Sequence, residues 1–203
     1  MKALRHAVSL LLLTTVAGCG SLPGSGTAGR NHPTMNMQQG AEKADVILQK
    51  TLAGITPGLR WVHDSSEDIS CSDWKNAGTG TSSVIRGVMV MTIVSPERRG
   101  ALLGVVERNW KASGYKITRV NASKELPSIT AFTPENFQVH VAVGGEGQFR
   151  FSVTTPCLTD SPVQRPTTPS NVDTNTPAYE GGKFFPRPYL HDDFWSAKTP
   201  ART

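Results

Sequence analysis

The sequence predicts an α+β domain: a two-layer sandwich in which an antiparallel sheet carries two helices packed on one face, in the order α-β-β-α-β-β-β-β. Three observations lead there. Two segments place apolar residues at three- and four-residue steps, the period of a helix with one buried stripe. Several shorter segments alternate apolar and polar residues, the period of a strand. The last two of these form a hairpin with one apolar and one polar face, which is how an antiparallel sheet covered on one side reads.

Met37, Ala41, Ala44, Leu48, Leu52 and Ile55 make the first helical stripe. Asn36, with Gln39 three residues later, fits a capping box, and Gly54 and Pro57 close the helix. A short strand follows from Leu59 to His63. The polar run Asp64-Ser65-Ser66-Glu67-Asp68 reads as a loop leading to Cys71. From Ser83 to Val94 both parities are apolar, with Val84, Val88, Val90 and Val94 on one and Ile85, Met89, Met91 and Ile93 on the other. A strand with two apolar faces is central and covered on both sides. Ser95-Pro96-Glu97 supplies a cap, a proline at the first helical position and an acid in the first turn. Leu102, Leu103, Val106 and Trp110 are the buried stripe of that second helix, and Gly114 suits its left-handed terminator.

After Gly114 the period falls to two. Tyr115 to Val120 and Ile129 to Thr133 are strands, and Thr133-Pro134-Glu135-Asn136 is a turn. Phe137, Val139, Val141 and Val143 alternate with Gln138, His140 and Ala142; Gly144 to Gly147 turns the chain; Phe149, Phe151 and Val153 alternate with Gln148, Arg150 and Ser152. The domain therefore spans residues 36–157. Beyond it, seven of the chain's 14 prolines fall in residues 158–203, among many Thr and Ser. That composition predicts a mostly disordered tail. Its aromatic segment, residues 183–195, is the exception. Two readings stay open for it: Phe184, Phe185, Tyr189 and Trp195 fold back on the domain, or the segment docks on a partner or a membrane interface.

The N-terminus carries the most specific motif. Lys2 and Arg5 precede an apolar run through Leu10-Leu11-Leu12-Leu13, which ends in Val16-Ala17-Gly18-Cys19. A charged region, a short apolar region and small residues before a cleavage point are the layout of a secretory signal. With cysteine after the small pair, it resembles the lipobox of bacterial lipoproteins. The resemblance implies that residues 1–18 are removed and that Cys19 carries diacylglycerol. It also implies a protein held at the extracytoplasmic face of the cell membrane. Residues 19–35, rich in Gly and Ser, are then a tether holding the domain on the order of 20 Å out. Together with Trp61, Cys71, Trp74 and Cys157, the chain is similar to small uncharacterised actinobacterial lipoproteins of the LppA-like kind, a resemblance that transfers no catalytic residue.

With Cys19 assigned to lipid, Cys71 and Cys157 remain in a protein bound for an oxidising compartment, where one disulfide is the expectation. Spacing argues against the alternatives: there is no CxxC, and two cysteines so far apart lack the pattern of metal ligands. A bridge across this separation would contribute about 4–5 kcal/mol in the chain-entropy model.

Charge excludes one class of partner. Loss of Lys2 and Arg5 lowers the formal charge from +5 to +3, and Arg98-Arg99 is the sole adjacent basic pair. A scattered, mildly basic surface is no nucleic-acid footprint. No apolar run reaches the ~20 residues that span a bilayer. No GxSxG, P-loop or dinucleotide loop occurs, so no catalytic residue and no cofactor is assigned. His191-Asp192-Asp193 lacks converging ligands, and Met89 and Met91 read as core filler ahead of soft-metal ligands. Two functions remain: a non-enzymatic envelope binding module, or an envelope hydrolase with an unrecognised site. For the first, the expected surface is the polar sheet face carrying Gln138, His140, Gln148, Arg150 and Ser152, and the partner an envelope protein, peptide or cell-wall component. The second requires a pocket with convergent titratable groups around His63 or His140.

Overall fold

The computed structural model describes residues 33–172 and 187–200, which belong to one compact unit, His32–Thr203. The lipobox, most of the tether and residues 183–186 lie outside the described residues. Among the described residues the predicted architecture is present: two helices and one antiparallel eight-stranded open sheet form an α+β sandwich.

Helix α1 (Met37–Ala53) starts on the expected capping box, with Asn36 Oδ1 accepting from the Gln39 N–H and Gln39 Oε1 accepting from the Asn36 N–H, both at 3.0 Å. The strands are β1 (Trp61–His63), β2 (Glu67–Ser72), β3 (Gly78–Val90), β4 (Lys116–Asn121), β5 (Ser128–Phe132), β6 (Gln138–Val143), β7 (Phe149–Thr154) and β8 (Leu158–Thr159). Helix α2 (Pro96–Ala112) lies between β3 and β4. The sheet runs β1-β3-β7-β6-β5-β4, with β2 and β8 also on β3. Because β2 and β7 both pair with Ile85, and β1 and β7 both pair with Met89, β1 and β2 share one edge of β3, while β7 and β8 share the other. Strand β3 is thus the central strand its two apolar faces predict.

Its inner face, with Val88 and Val90, joins the main core beneath the helices: Leu48 and Leu52 of α1, Leu102, Val106 and Trp110 of α2, and Val139, Val141, Phe149 and Phe151 of the hairpin. The Trp110 indole N–H donates to Thr51 Oγ1 at 3.1 Å, tying the two helices. The turns are those predicted. Asn136 takes φ 63° and its N–H bonds the Thr133 carbonyl; Gly114 terminates α2 at φ 77°, and Gly147 completes the β6–β7 turn at φ 82°. Cys71 and Cys157 are joined in a disulfide, with Cα atoms 6.2 Å apart.

Four expectations are corrected. The stretch read as a loop before Cys71 contains β2, paired with β3 along Glu67–Ser72. Its side chains are mostly exposed, so no burial period marks it, and its pairing partner creates it. Strand β3 begins at Gly78 and ends at Val90; residues 91–94 leave the ladder to meet the tail, where the Ile93 N–H bonds the Leu190 carbonyl at 2.8 Å. Ser95 opens α2 without a side-chain cap, because its hydroxyl donates to the Ala197 carbonyl at 2.6 Å.

The fourth correction is the tail. Its described parts are packed, not disordered. Residues 158–172 run from β8 past the free edge of β1, where Asn171 Oδ1 accepts from the Trp61 N–H and Ser170 Oγ from the His63 N–H. Val172, Tyr189 and Leu190 pack with Val62, Met89 and Met91 on the outer face of the sheet. Trp195 enters the main core at 1% exposure. For the described aromatics Tyr189 and Trp195, fold-back is the outcome; Phe184 and Phe185 lie outside the described residues. Composition misled because Pro, Ser and Thr supply side-chain acceptors and extended backbone for an edge as readily as they supply disorder.

Candidate functional site

Strand register assembles the outer face. Directly opposed residues share a face, so His140 lies between Ser152 and Thr130, Gln138 between Thr154 and Phe132, and Ala142 between Arg150 and Ser128. Gln138, His140, Arg150 and Ser152 therefore stand together, as predicted, all half-buried. Gln148 does not join them. It sits in the β6–β7 turn, where its Oε1 accepts from the Glu146 N–H at 2.9 Å.

Arg150 and His140 each have a structural partner. Arg150 Nε bonds Asp64 Oδ2 at 2.5 Å, and its Nη2 lies 3.5 Å from Glu67 Oε1. The Asp64 side chain reaches Arg150 across Gly87, where an added Cβ would lie 3.2 Å from Asp64 Cβ. His140 Nδ1 pairs with Thr130 Oγ1 at 2.9 Å. Burial lowers the His140 pKa from its ordinary 6.5, and the cations Arg150 and Arg119 lower it further against a backbone hydrogen bond at Ile129 that raises it. At the β1–β3 end the face is closed by Val172, Tyr189 and Leu190.

His63 lies on the other face and is part of a polar cluster that the sequence reading missed. Arg86 of β3 is 2% exposed, and its Nε lies 3.5 Å from Asp45 Oδ1 on α1. Its Nη2 donates to the Gln164 carbonyl of the tail. His63 Nε2 bonds the Thr168 carbonyl at 2.6 Å; a carbonyl only accepts, so Nε2 carries the proton. Burial raises the Asp45 pKa above 3.8, against the opposing charges of Arg86 and His63. The cluster is strapped under the tail. The signal for it was a charged residue between Val84 and Val88 on the apolar parity of β3, and an acid beside Ala44 on α1.

The remaining polar candidates are structural. Asp192 Oδ1 accepts from the N–H groups of Phe194 and Trp195, closing the turn that seats Trp195. Met89 and Met91 are each 1% exposed in the outer apolar cluster. Among the described residues, no group of three or more His, Cys, Asp or Glu could hold a metal ion, and no helix is long and apolar enough to cross a membrane. An open groove of about 410 Å³, lined by Thr34, Met35, Gln39, Glu42, Lys43 and Val46, lies along α1 and includes neither His63 nor His140.

No known family and no curated protein matches the chain. Among solved structures it is similar to a DUF4853 family protein from Actinomyces odontolyticus ATCC 17982, with 9% identity, 68% of this chain and 73% of that chain covered, and a TM-score of 0.43.

Proposed function

We propose that this protein is a non-enzymatic binding module of the cell envelope, anchored through diacylglycerol on Cys19. The observation that carries the reading is Val16-Ala17-Gly18-Cys19 behind a charged and then apolar leader. The binding surface is the part of the outer sheet face left open by the tail, with Gln138, His140, Ser152 and Thr130 in its rows and Arg150 at its border. Its partner is an envelope protein, peptide or cell-wall component. Flat polar strands offer hydroxyl, amide and imidazole groups in a fixed spacing, which suits recognition of another polar surface.

An envelope hydrolase would draw on the Thr130–His140 pair. A general base must become an imidazolium, which an orienting carboxylate stabilises. The charges around His140 are Arg150 and Arg119, which oppose it. That sign favours binding over catalysis.

The experiment is site-specific photo-crosslinking in cells. A photoreactive residue at Gln138 or Ser152 is expected to give a discrete adduct, and one at Arg108, exposed on α2, none. Absence of adducts at both sheet positions, with the protein folded and at the membrane, contradicts the assignment of this face.

A further inference from the structure

The hairpin between β2 and β3 carries a side chain that the fold does not use. Trp74, at its tip, is 87% exposed, whereas Trp61, Trp110 and Trp195 are 5%, 3% and 1% exposed. The tip is nonetheless ordered. Asp73 Oδ1 accepts from the Lys75 and Ala77 N–H groups at 2.8 and 3.0 Å, and the Asp73 and Ala77 backbones are bonded at 2.9 Å. The Lys75 ammonium lies 4.7 Å from the Trp74 ring centroid. Below the tip, Ile69 on β2 is 53% exposed.

A second observation fixes which way this end faces. The tether enters the domain beside it. The Pro33 carbonyl accepts from Thr159 Oγ1, the Met35 carbonyl from the Thr159 N–H, and Thr159 pairs with Thr81, three residues from the start of β3. Leu126, an exposed apolar side chain at another turn, lies elsewhere: Ser128, Ala142, Arg150 and Met89 follow one another across the sheet to the opposite end of β3. The 15 residues from Cys19 to Pro33 can span at most about 50 Å. From Thr81 to Ala77, where the hairpin turns, the extended chain covers about 13 Å, well within that length.

From this we infer that the β2–β3 hairpin tip is a second, non-covalent membrane contact, with Trp74 seated in the interfacial layer of the bilayer and Lys75 among its phosphate groups. Tryptophan concentrates at that level because its ring is apolar and its N–H is wet, and a lysine stem lies along apolar material while its ammonium stays with the headgroups. The single carboxylate at the tip, Asp73, already accepts two N–H groups. The inference rests on the anchoring at Cys19 for its orientation. Two contacts in place of one would fix the angle at which the outer sheet face meets its partner.

The test uses vesicles of phosphatidylcholine and phosphatidylglycerol, with and without brominated acyl chains, which quench tryptophan on contact. One arm takes the acylated lipoprotein purified from membranes. A second holds the mature chain, with an N-terminal histidine tag in place of the acyl group, on nickel-chelating lipid in the same vesicles. In both arms the share of emission that Trp74→Phe removes is expected to be lost to bromine, with a shift to the blue, and Lys75→Glu is expected to reduce that loss. If the purified protein proves unacylated while the tagged chain is quenched, the Cys19 reading fails and the tip assignment stands. If Trp74 on the tagged chain escapes bromine yet remains open to aqueous iodide, the tip lies in water and the inference is overturned.

Discussion

The indole N–H of Trp195 donates to the Pro57 carbonyl at 2.8 Å, joining residues 138 positions apart and carrying the end of the tail into the main core. Phe194 stacks edge-on against Trp195 and lies over the Arg98 guanidinium. The tail is therefore part of the domain. Trp195→Ala removes a fully buried ring and the donor to the half-buried Pro57 carbonyl. The expected loss is about 3–5 kcal/mol, read as a lower urea midpoint. A change under 1 kcal/mol would contradict the packing described.

Arg86 and Asp45 form the second internal tie. Breaking a buried pair by removing one partner strands the other charge, at a typical cost of about 3–5 kcal/mol. Arg86→Met is expected to destabilise, and the double change with Asp45→Leu to recover most of the loss, because replacing both ions leaves no uncompensated charge. Denaturation of the three variants against the wild type measures this. Additive losses would show that the pair is not coupled.

The elements that were legible in the sequence are those whose burial has a period. Met37 to Ile55 reads as a helix and Phe137 to Val153 as a hairpin because each buries one face against the shared core. The half-buried outer row of His140, Arg150 and Ser152 was legible for the same reason. Three things were not. Strand β2 has no buried face, so only its register with β3 defines it. Asp45 and Arg86 are charged residues on buried parities, each intelligible only once the other is opposite. The tail residues from Leu158 to Val172 hold the β1 edge through side-chain oxygens, a pattern whose local signature is that of a loop.

His140 gives the domain a pH dependence of defined sign. Its pKa is lowered in the folded protein, chiefly by burial, so the folded state binds fewer protons than the unfolded state below about pH 6.5. Stability contributed by neutral His140 is present above that value and is lost as the pH falls toward the folded pKa. Comparing urea midpoints at pH 7.5 and pH 5, His140→Gln is expected to lose less than the wild type. Equal losses would show that His140 carries no part of the dependence.

The disulfide closes a loop 86 residues long in sequence separation. Thiol labelling of the unfolded, unreduced protein is expected to find neither Cys71 nor Cys157 free. Cys71→Ser with Cys157→Ser is expected to lower stability by about 2–5 kcal/mol. Free thiols at both positions would remove the bridge from the account.

Anchoring is the claim on which the envelope function depends and from which the hairpin contact takes its orientation. Mass spectrometry of the N-terminal peptide from the membrane-purified protein tests it directly. The predicted result is a chain that begins at Cys19 and carries diacylglycerol, with Cys19→Ala unacylated and no longer retained in the processed form. A chain that still carries residues 1–18, or a free Cys19 thiol on a protein retained at the membrane, would contradict it.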